Sequence, residues 1–167
     1  MLTGQPEYKI VLSVKTIVIG LGNPILGDDG VGWQIAQQVE KQSEFPPDVE
    51  VDCLALGGIS LMERLIGYQR AILIDSFVTN KNPIGTVQCF SLDQLPNRAL
   101  GHMGSSHDTT LQNALRVGRD LGAALPQEIT IVAVEAHNVY DFSEQLSPEV
   151  AAAIPSAVHM VLDLLGG

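Results

Sequence analysis

The stretch 16-TIVIGLGNPILGDDGVGW-33 carries the main signals of both the fold and the site. It begins with a β-branched run typical of a buried strand, and it ends where an amphipathic helix pattern starts. The intervening turn is rich in glycine and contains an Asn-Pro pair and two adjacent aspartates, Asp28 and Asp29. Glycine-rich turns between a strand and a helix commonly bind phosphate, so the two carboxylates require another explanation.

The glycine spacing argues against a nucleotide site. A dinucleotide fingerprint requires G-x-G-x-x-G/A, and the position that follows Gly20 and Gly22 in this pattern holds Ile25. The carboxylates would also repel a phosphate bound at the helix N-terminus. We therefore expect the loop to meet a cation, with Asp28 capping the first helix and Asp29 turned toward the site.

Strand-like and helical patterns alternate along the rest of the chain. This alternation predicts an α/β protein, a three-layer α/β/α sandwich around a twisted, mostly parallel five-stranded sheet. Ser60 with Glu63 predicts a capping box, and Ser147-Pro148 predicts an N-cap followed by proline at the first helical position. The predicted strands are 15–21, 49–56, 70–76, 85–91 and 129–135, and the predicted helices are 30–43, 60–67, 108–123 and 147–165.

Length and charge limit the possible functions. The 167 residues predict one domain over 15–167 after an N-terminal extension at 1–14 that lacks a signal-peptide pattern, so we expect a cytoplasmic protein. The net charge is −10 and the nine basic residues are scattered, which disfavours nucleic acid and anionic membranes as partners. No apolar run approaches the length of a membrane span. Cys53 and Cys89 lie in apolar runs and are expected to be buried, reduced thiols.

Chemically active side chains follow several predicted strands at their carboxyl ends. Asp29 follows the first strand, Asp75 and Glu135 close the third and fifth, and His107 ends the long connection 92–107. If the strand order is the common 2-1-3-4-5, Asp29 and Asp75 flank the point where the order reverses and where ligands bind in such folds. The set is open to three interpretations: a site for a divalent metal such as nickel or zinc, general acid–base chemistry, or simple helix capping. His102 and His137 are weaker candidates.

Four motifs together resemble the hydrogenase maturation endopeptidases, which process the large subunit of nickel–iron hydrogenases. They run in order over about 16–165: GLGNPILGDDGVG after the first strand, ILID at the third, SSHDTTL after the long loop, and VEAHNVYDFSEQLSPEV near the C-terminus. The resemblance implies a twisted five-stranded sheet between helices, a fold of the phosphorylase/hydrolase-like type. It also implies that the protein removes a C-terminal extension from a hydrogenase large-subunit precursor once nickel is installed.

The family's metal-contacting positions fall on Asp29, Asp75 and His107. Our hypothesis is that the nickel is carried by the precursor rather than held tightly by the enzyme, although other divalent metals could occupy the site. The metal would act as a Lewis acid or activate a water, and Asp29 or Asp75 would serve as general base. Weaker substrate-binding candidates are Asn23, Gly57, Gly58 and Ser60. We expect a monomer or weak oligomer.

One departure from the family concerns the loop after the second strand, where an acid often precedes Gly-Gly-Thr. Here the stretch is 56-LGGIS-60, so Leu56 takes the place of the acid and the processed hydrogenase class stays open. Two alternatives remain. The chain could be a nickel-dependent docking module that binds the precursor without cutting it, or, less well supported, an esterase like the peptidyl-tRNA hydrolases, which share the VIGLGNP start but need a basic tRNA-binding face.

Overall fold

A computed structural model describes residues 14–43, 45–94 and 110–166 of the chain. Five strands form one sheet: β1 (Thr16–Leu21), β2 (Val49–Leu54), β3 (Arg70–Phe77), β4 (Val87–Ser91) and β5 (Glu128–Glu135). Four helices accompany them: α1 (Val31–Glu40), α2 (Gly58–Arg64), α3 (Leu111–Asp120) and α4 (Pro148–Gly166). This architecture confirms the predicted α/β class. The predicted extension at 1–14 lies almost entirely outside the described residues.

The strand order is β2-β1-β3-β5-β4, with β1, β2, β3 and β5 parallel and β4 antiparallel to β5. The mostly parallel sheet is therefore confirmed, but the 2-1-3-4-5 order is wrong at one edge. Only a short connection, 78–86, separates β3 from β4, and a parallel pair would need a crossover of a dozen or more residues. The order still reverses between β1 and β3, so the predicted switch point is retained.

Two hydrophobic cores lie on opposite faces of the sheet because successive strand residues point to opposite sides. In β1, Ile17, Ile19 and Leu21 face the core that α2 and α3 cover, whereas Val18 faces the core that α1 and α4 cover. The central strands β1 and β3 are buried along almost their whole length. This burial explains why their sequences are continuously apolar rather than alternating.

Several local predictions need correction. Helix α2 begins at Gly58 with Gly57 as its N-cap, so Ser60 lies inside the helix and forms no capping box.

The two cysteines differ from the predicted buried state. Cys89 is exposed on the edge strand β4, whereas Cys53 is partly buried; both thiols are free. Burial raises the pKa of the Cys53 thiol to about 11.

Helix α4 is the one described helix whose length and hydropathy would allow it to cross a membrane. No single run of apolar letters suggested this property, because Pro, Ser and His interrupt the segment. The helix packs against β5 and α1, and its buried residues include Val150, Ile154 and Val161. Its apolar character therefore has an explanation in the core.

Candidate functional site

The loop after β1 turns sharply and delivers Asp29 to the carboxyl edge of the sheet. Gly22 has a φ of 126°, and a Cβ added there would lie 1.8 Å from the carbonyl oxygen of Asp29, so only glycine fits. The Gly22 amide donates to the Leu54 carbonyl at 3.0 Å, which joins the loop to the end of β2. A 3-10 turn over Gly27–Gly30 then leads into α1.

Asp29 is buried, and its carboxylate accepts hydrogen bonds from the first loop and from β3. The Asn23 amide donates to Oδ2 at 2.7 Å, and the Ser76 hydroxyl donates to Oδ1 at 3.4 Å. The first bond belongs to the loop itself, and the second reaches across to β3. Asp29 is thus held at the interface between the first loop and the third strand, as predicted.

Asp75 is completely buried near the end of β3, two residues before Phe77, the last residue of the strand. Its Oδ1 accepts a hydrogen bond from the Ser76 amide at 2.9 Å. Ser76 therefore contacts both aspartates, through its amide on one side and its hydroxyl on the other. Ser76 was not among the candidate residues predicted from the sequence. The available signal was its position directly after the acid of an otherwise apolar strand, 72-ILIDS-76.

Asp28 has a different role from the predicted one, because neither the 3-10 turn nor α1 has a side-chain cap. The completely buried Asp28 carboxylate instead accepts from the Ser147 amide at 2.6 Å, the Ser147 hydroxyl at 2.5 Å and the Asn138 amide at 3.2 Å. Helix α4 starts at Pro148 as predicted, with the preceding serine bound to Asp28. Asp28 therefore fastens the loop 138–147 to the first loop.

Glu135 lies at the carboxyl edge as expected but serves the turn after β3. Its carboxylate accepts from the Thr79 amide at 2.8 Å, the Thr79 hydroxyl at 2.7 Å and the Asn80 amide at 2.9 Å. These three bonds compensate for the burial of its charge. Asn80 has a φ of 56°, and this unusual conformation is held by the same contacts.

His107, the third predicted metal ligand, lies outside the described residues, as does the weaker candidate His102. Within 14–43, 45–94 and 110–166, no three His, Cys, Asp or Glu side chains group as a metal site. The pair Asp29 and Asp75 supplies only oxygen donors there, which suit a divalent cation. The three-ligand set therefore stays a prediction.

The weaker substrate-binding candidates surround the same edge. The Asn23 side chain accepts from the Ile25 amide at 3.2 Å and so shapes the first loop. Gly57 and Gly58 start α2 beyond the end of β2, and Gly58 has a φ of 51°. Ser60 is exposed in the first turn of that helix. Their contact with substrate stays a prediction.

Two buried acids lie at the switch point, Asp29 in the first loop and Asp75 on β3, and Ser76, the residue after Asp75, donates a hydrogen bond to Asp29. Carboxylate oxygens are the ligands that hard divalent cations prefer, and a carboxylate can also act as a general base. The chemistry of this edge of the sheet therefore suits a metal ion presented by a substrate, or the removal of a proton from a water.

Comparison with known proteins adds independent information. The family model described as hydrogenase maturation protease matches residues 33–164, about four-fifths of the chain. The hydrogenase 2 maturation protease of Escherichia coli is 27% identical over 152 residues, which cover 91% of each protein.

Solved structures agree with this result. The hydrogenase maturating endopeptidase HybD from Escherichia coli superposes with a TM-score of 0.72 at 26% identity, covering 90% of this chain and 91% of that one. A hydrogenase 2 maturation peptidase from a Thaumarchaeota archaeon superposes with a TM-score of 0.64 at 29% identity, covering 91% and 98%.

Proposed function

This chain belongs to the hydrogenase maturation protease family, and we propose that it removes a C-terminal peptide from the nickel-loaded large-subunit precursor of a nickel–iron hydrogenase. Peptidase activity is the common property of its named relatives. The precursor as substrate, the nickel dependence and the site residues are our proposal. We expect the protein to act in the cytoplasm as a monomer or weak oligomer.

The observation that carries this proposal is the hydrogen bond from Ser76, the residue after Asp75, to Asp29 at the switch point. Asp29 and Asp75 lie 46 residues apart in the sequence, yet the buried residue that follows Asp75 donates a hydrogen bond to Asp29. Such a site has the donor chemistry that a divalent cation requires. It also sits where α/β sheets bind their ligands.

Nickel enters this proposal as part of the substrate. It would polarise the scissile carbonyl when the precursor docks. Asp29 and Asp75, with His107 as the third ligand implied by the family motif, would bind this nickel and so position the scissile bond of the docked precursor. One of the two carboxylates would accept the proton of the attacking water. Asn23, Gly57, Gly58 and Ser60 would line the path of the precursor chain.

Incubation of the purified protein with nickel-loaded and nickel-free precursor tests the recognition step. Mass spectrometry of the intact precursor measures the loss of the C-terminal peptide. We expect this loss only in the nickel-loaded sample. Equal cleavage of both forms would refute nickel as the recognition signal. Stable binding without any loss of peptide would favour the docking-module alternative.

Site variants test the residue assignment. Asp29→Asn, Asp75→Asn and His107→Ala are each expected to lower cleavage at least about 100-fold, because each removes a ligand or the base. Ser76→Ala should lower it less, about tenfold, since it removes one hydrogen bond to Asp29 and leaves both carboxylates in place. Asp163→Asn, an exposed acid on α4, is the matched control. Full activity of Asp29→Asn would remove Asp29 from the site.

A further inference from the structure

Three apolar side chains are exposed beside the candidate site. Tyr140 and Phe142 are 85% and 86% exposed, and Ile25 is 46% exposed. We call the segment 138–147 the aromatic loop. Large aromatic side chains this exposed are unusual on a protein surface and commonly mark a place where another molecule binds.

The backbone of the aromatic loop is firmly attached although its aromatic side chains are free. Asp28 binds both ends of the loop, at Asn138 and at Ser147. In the middle, the Ser143 amide donates to the Ile25 carbonyl at 3.0 Å, and the Gly27 amide donates to the Ser143 carbonyl at 2.7 Å. A loop held in this way presents its side chains with little further loss of entropy on binding.

The exposed residues are continuous with the acidic site. Ile25 donates through its amide to the side chain of Asn23, and Asn23 donates through its amide to Asp29. Ile25 in turn pairs with Ser143, the neighbour of Phe142. The surface therefore lies within reach of the folded part of a protein whose tail enters the site at Asp29.

Charge indicates the kind of partner. Asp141 and Glu144 are exposed on the same loop, and the whole chain carries a net charge of −10. A second copy of this chain would bring like charges together in a symmetric contact, and an anionic membrane would repel the loop. An apolar pocket edged by Lys and Arg complements the surface.

From these observations we propose that Ile25 and the aromatic loop form a docking surface outside the cleavage site. It would bind an apolar pocket, edged by basic residues, on the folded body of the precursor. This inference rests on the proposed function for the identity of the partner. The surface would supply affinity and orientation, whereas the two aspartates would act on the tail.

Steady-state cleavage of the nickel-loaded precursor tests this surface. Phe142→Ala and Tyr140→Ala should each raise KM about tenfold and leave kcat within about twofold, because truncation of an anchor weakens binding without touching the reacting atoms. Leu121→Ala is the matched control, since Leu121 is 83% exposed but follows α3 at the opposite, amino edge of the sheet. It should change neither constant.

A binding measurement separates the two proposals. In an Asp29→Asn background, the same substitutions should weaken binding of the precursor about tenfold, and Asp141→Asn with Glu144→Gln should slow association at low salt. Unchanged binding and KM for Phe142→Ala would overturn the docking surface and leave the proposed function intact. Aromatic-dependent binding without cleavage by the wild-type protein would overturn the proposed function alone. If the wild-type protein neither binds nor cleaves the precursor, the docking surface is overturned. It is also overturned if the protein forms a dimer in solution that Phe142→Ala dissociates.

Discussion

At the scale of single residues, two adjacent aspartates have separate tasks. Asp28 points away from the site and accepts hydrogen bonds from three donors of the aromatic loop. Asp29 points toward β3 and accepts a hydrogen bond from Ser76. Neighbouring residues in a 3-10 turn diverge in direction, so one side chain can be structural while the next one reaches the site. The first loop thereby connects the site with the aromatic loop.

Substitution of Asp28 should affect stability more than any exposed acid would. Asp28→Asn replaces an acceptor oxygen by an amino group, so buried donors of Ser147 or Asn138 lose their partner. We expect the free energy of unfolding, measured in urea, to fall by about 2–3 kcal/mol. Asp163→Asn on the exposed face of α4 should stay within about 0.5 kcal/mol of the wild type. Equal stability of both variants would contradict the structural role of Asp28.

At the scale of elements, α1 lies unusually close to the sheet. A Cβ added to Gly32 would lie 2.3 Å from the carbonyl oxygen of Leu21 and 2.5 Å from that of Ile74. Gly20 of β1 faces the same helix, and a Cβ added to Gly20 would lie 2.3 Å from the carbonyl oxygen of Gly32. These glycines allow the close approach that brings the start of α1, and therefore Asp29, next to β3.

Gly32→Ala tests this close packing. The added methyl group must push α1 away from backbone atoms of two strands, which cannot move independently. We expect a loss of about 3 kcal/mol or more in the free energy of unfolding, or failure to fold. Gly166→Ala near the end of α4, where an added Cβ meets nothing within 4 Å, serves as control and should be neutral. Wild-type stability of Gly32→Ala would refute the tight contact.

The edge strand β2 is fastened to α2 by a polar network. The Arg64 guanidinium contacts Asp52 at 2.7 Å, Tyr68 at 3.0 Å and Glu50, and the Tyr68 hydroxyl donates to Glu50. Hydrogen bonds from Tyr68 first, and then from Arg64, lower the pKa of Glu50 from its ordinary value. The stabilisation is thus present above the ordinary pKa of the carboxyl, near 4.5, and disappears as the pH falls through the lower folded value.

Glu50→Gln should therefore reduce stability at neutral pH but not in acid. Because Glu50 is about half exposed, we expect an effect of at most about 1 kcal/mol at pH 7. The difference from the wild type should shrink as the pH falls below 4.5. Urea unfolding across this pH range measures it, with Glu63→Gln, an exposed acid on α2, as the matched control. A difference that grows in acid would contradict the sign.

At the scale of the whole molecule, the two cores are joined through the shared strands β1, β3 and β5. Each strand contributes side chains to both faces, so loss of one core exposes the back of the other. The helices on each face also contact each other, α1 with α4 and α2 with α3. This arrangement favours unfolding in a single cooperative step.

Two probes of unfolding should therefore give the same curve. Trp33, the single tryptophan, lies on α1, and its indole N–H donates to the Leu54 carbonyl of β2 at 3.3 Å. Its fluorescence reports packing on one face, whereas far-ultraviolet circular dichroism reports all helices and strands. We expect coincident urea transitions, with equal midpoints and slopes. Separate transitions would show that the predicted single domain over 15–167 consists of independent units.

The sequence by itself determined the α/β class, the approximate positions of the strands and α-helices within the described residues, and the family. These properties follow from hydrophobic periodicity and from motifs that are contiguous along the chain. The placement of Asp29 and Asp75 at one edge of the sheet could also be predicted, because the carboxyl ends of neighbouring parallel strands lie at the same edge.

Only the tertiary structure decided the order of the edge strands, the start of α2, the structural role of Asp28 and the hydrogen bond between Ser76 and Asp29. Each of these features depends on which strands pair and on which of several nearby groups donate hydrogen bonds to each acid. The sequence pattern leaves those choices nearly equal in energy, and packing between distant segments resolves them. The same reason explains the aromatic loop, whose fixed backbone depends on hydrogen bonds to Asp28, about 110 residues earlier in the chain.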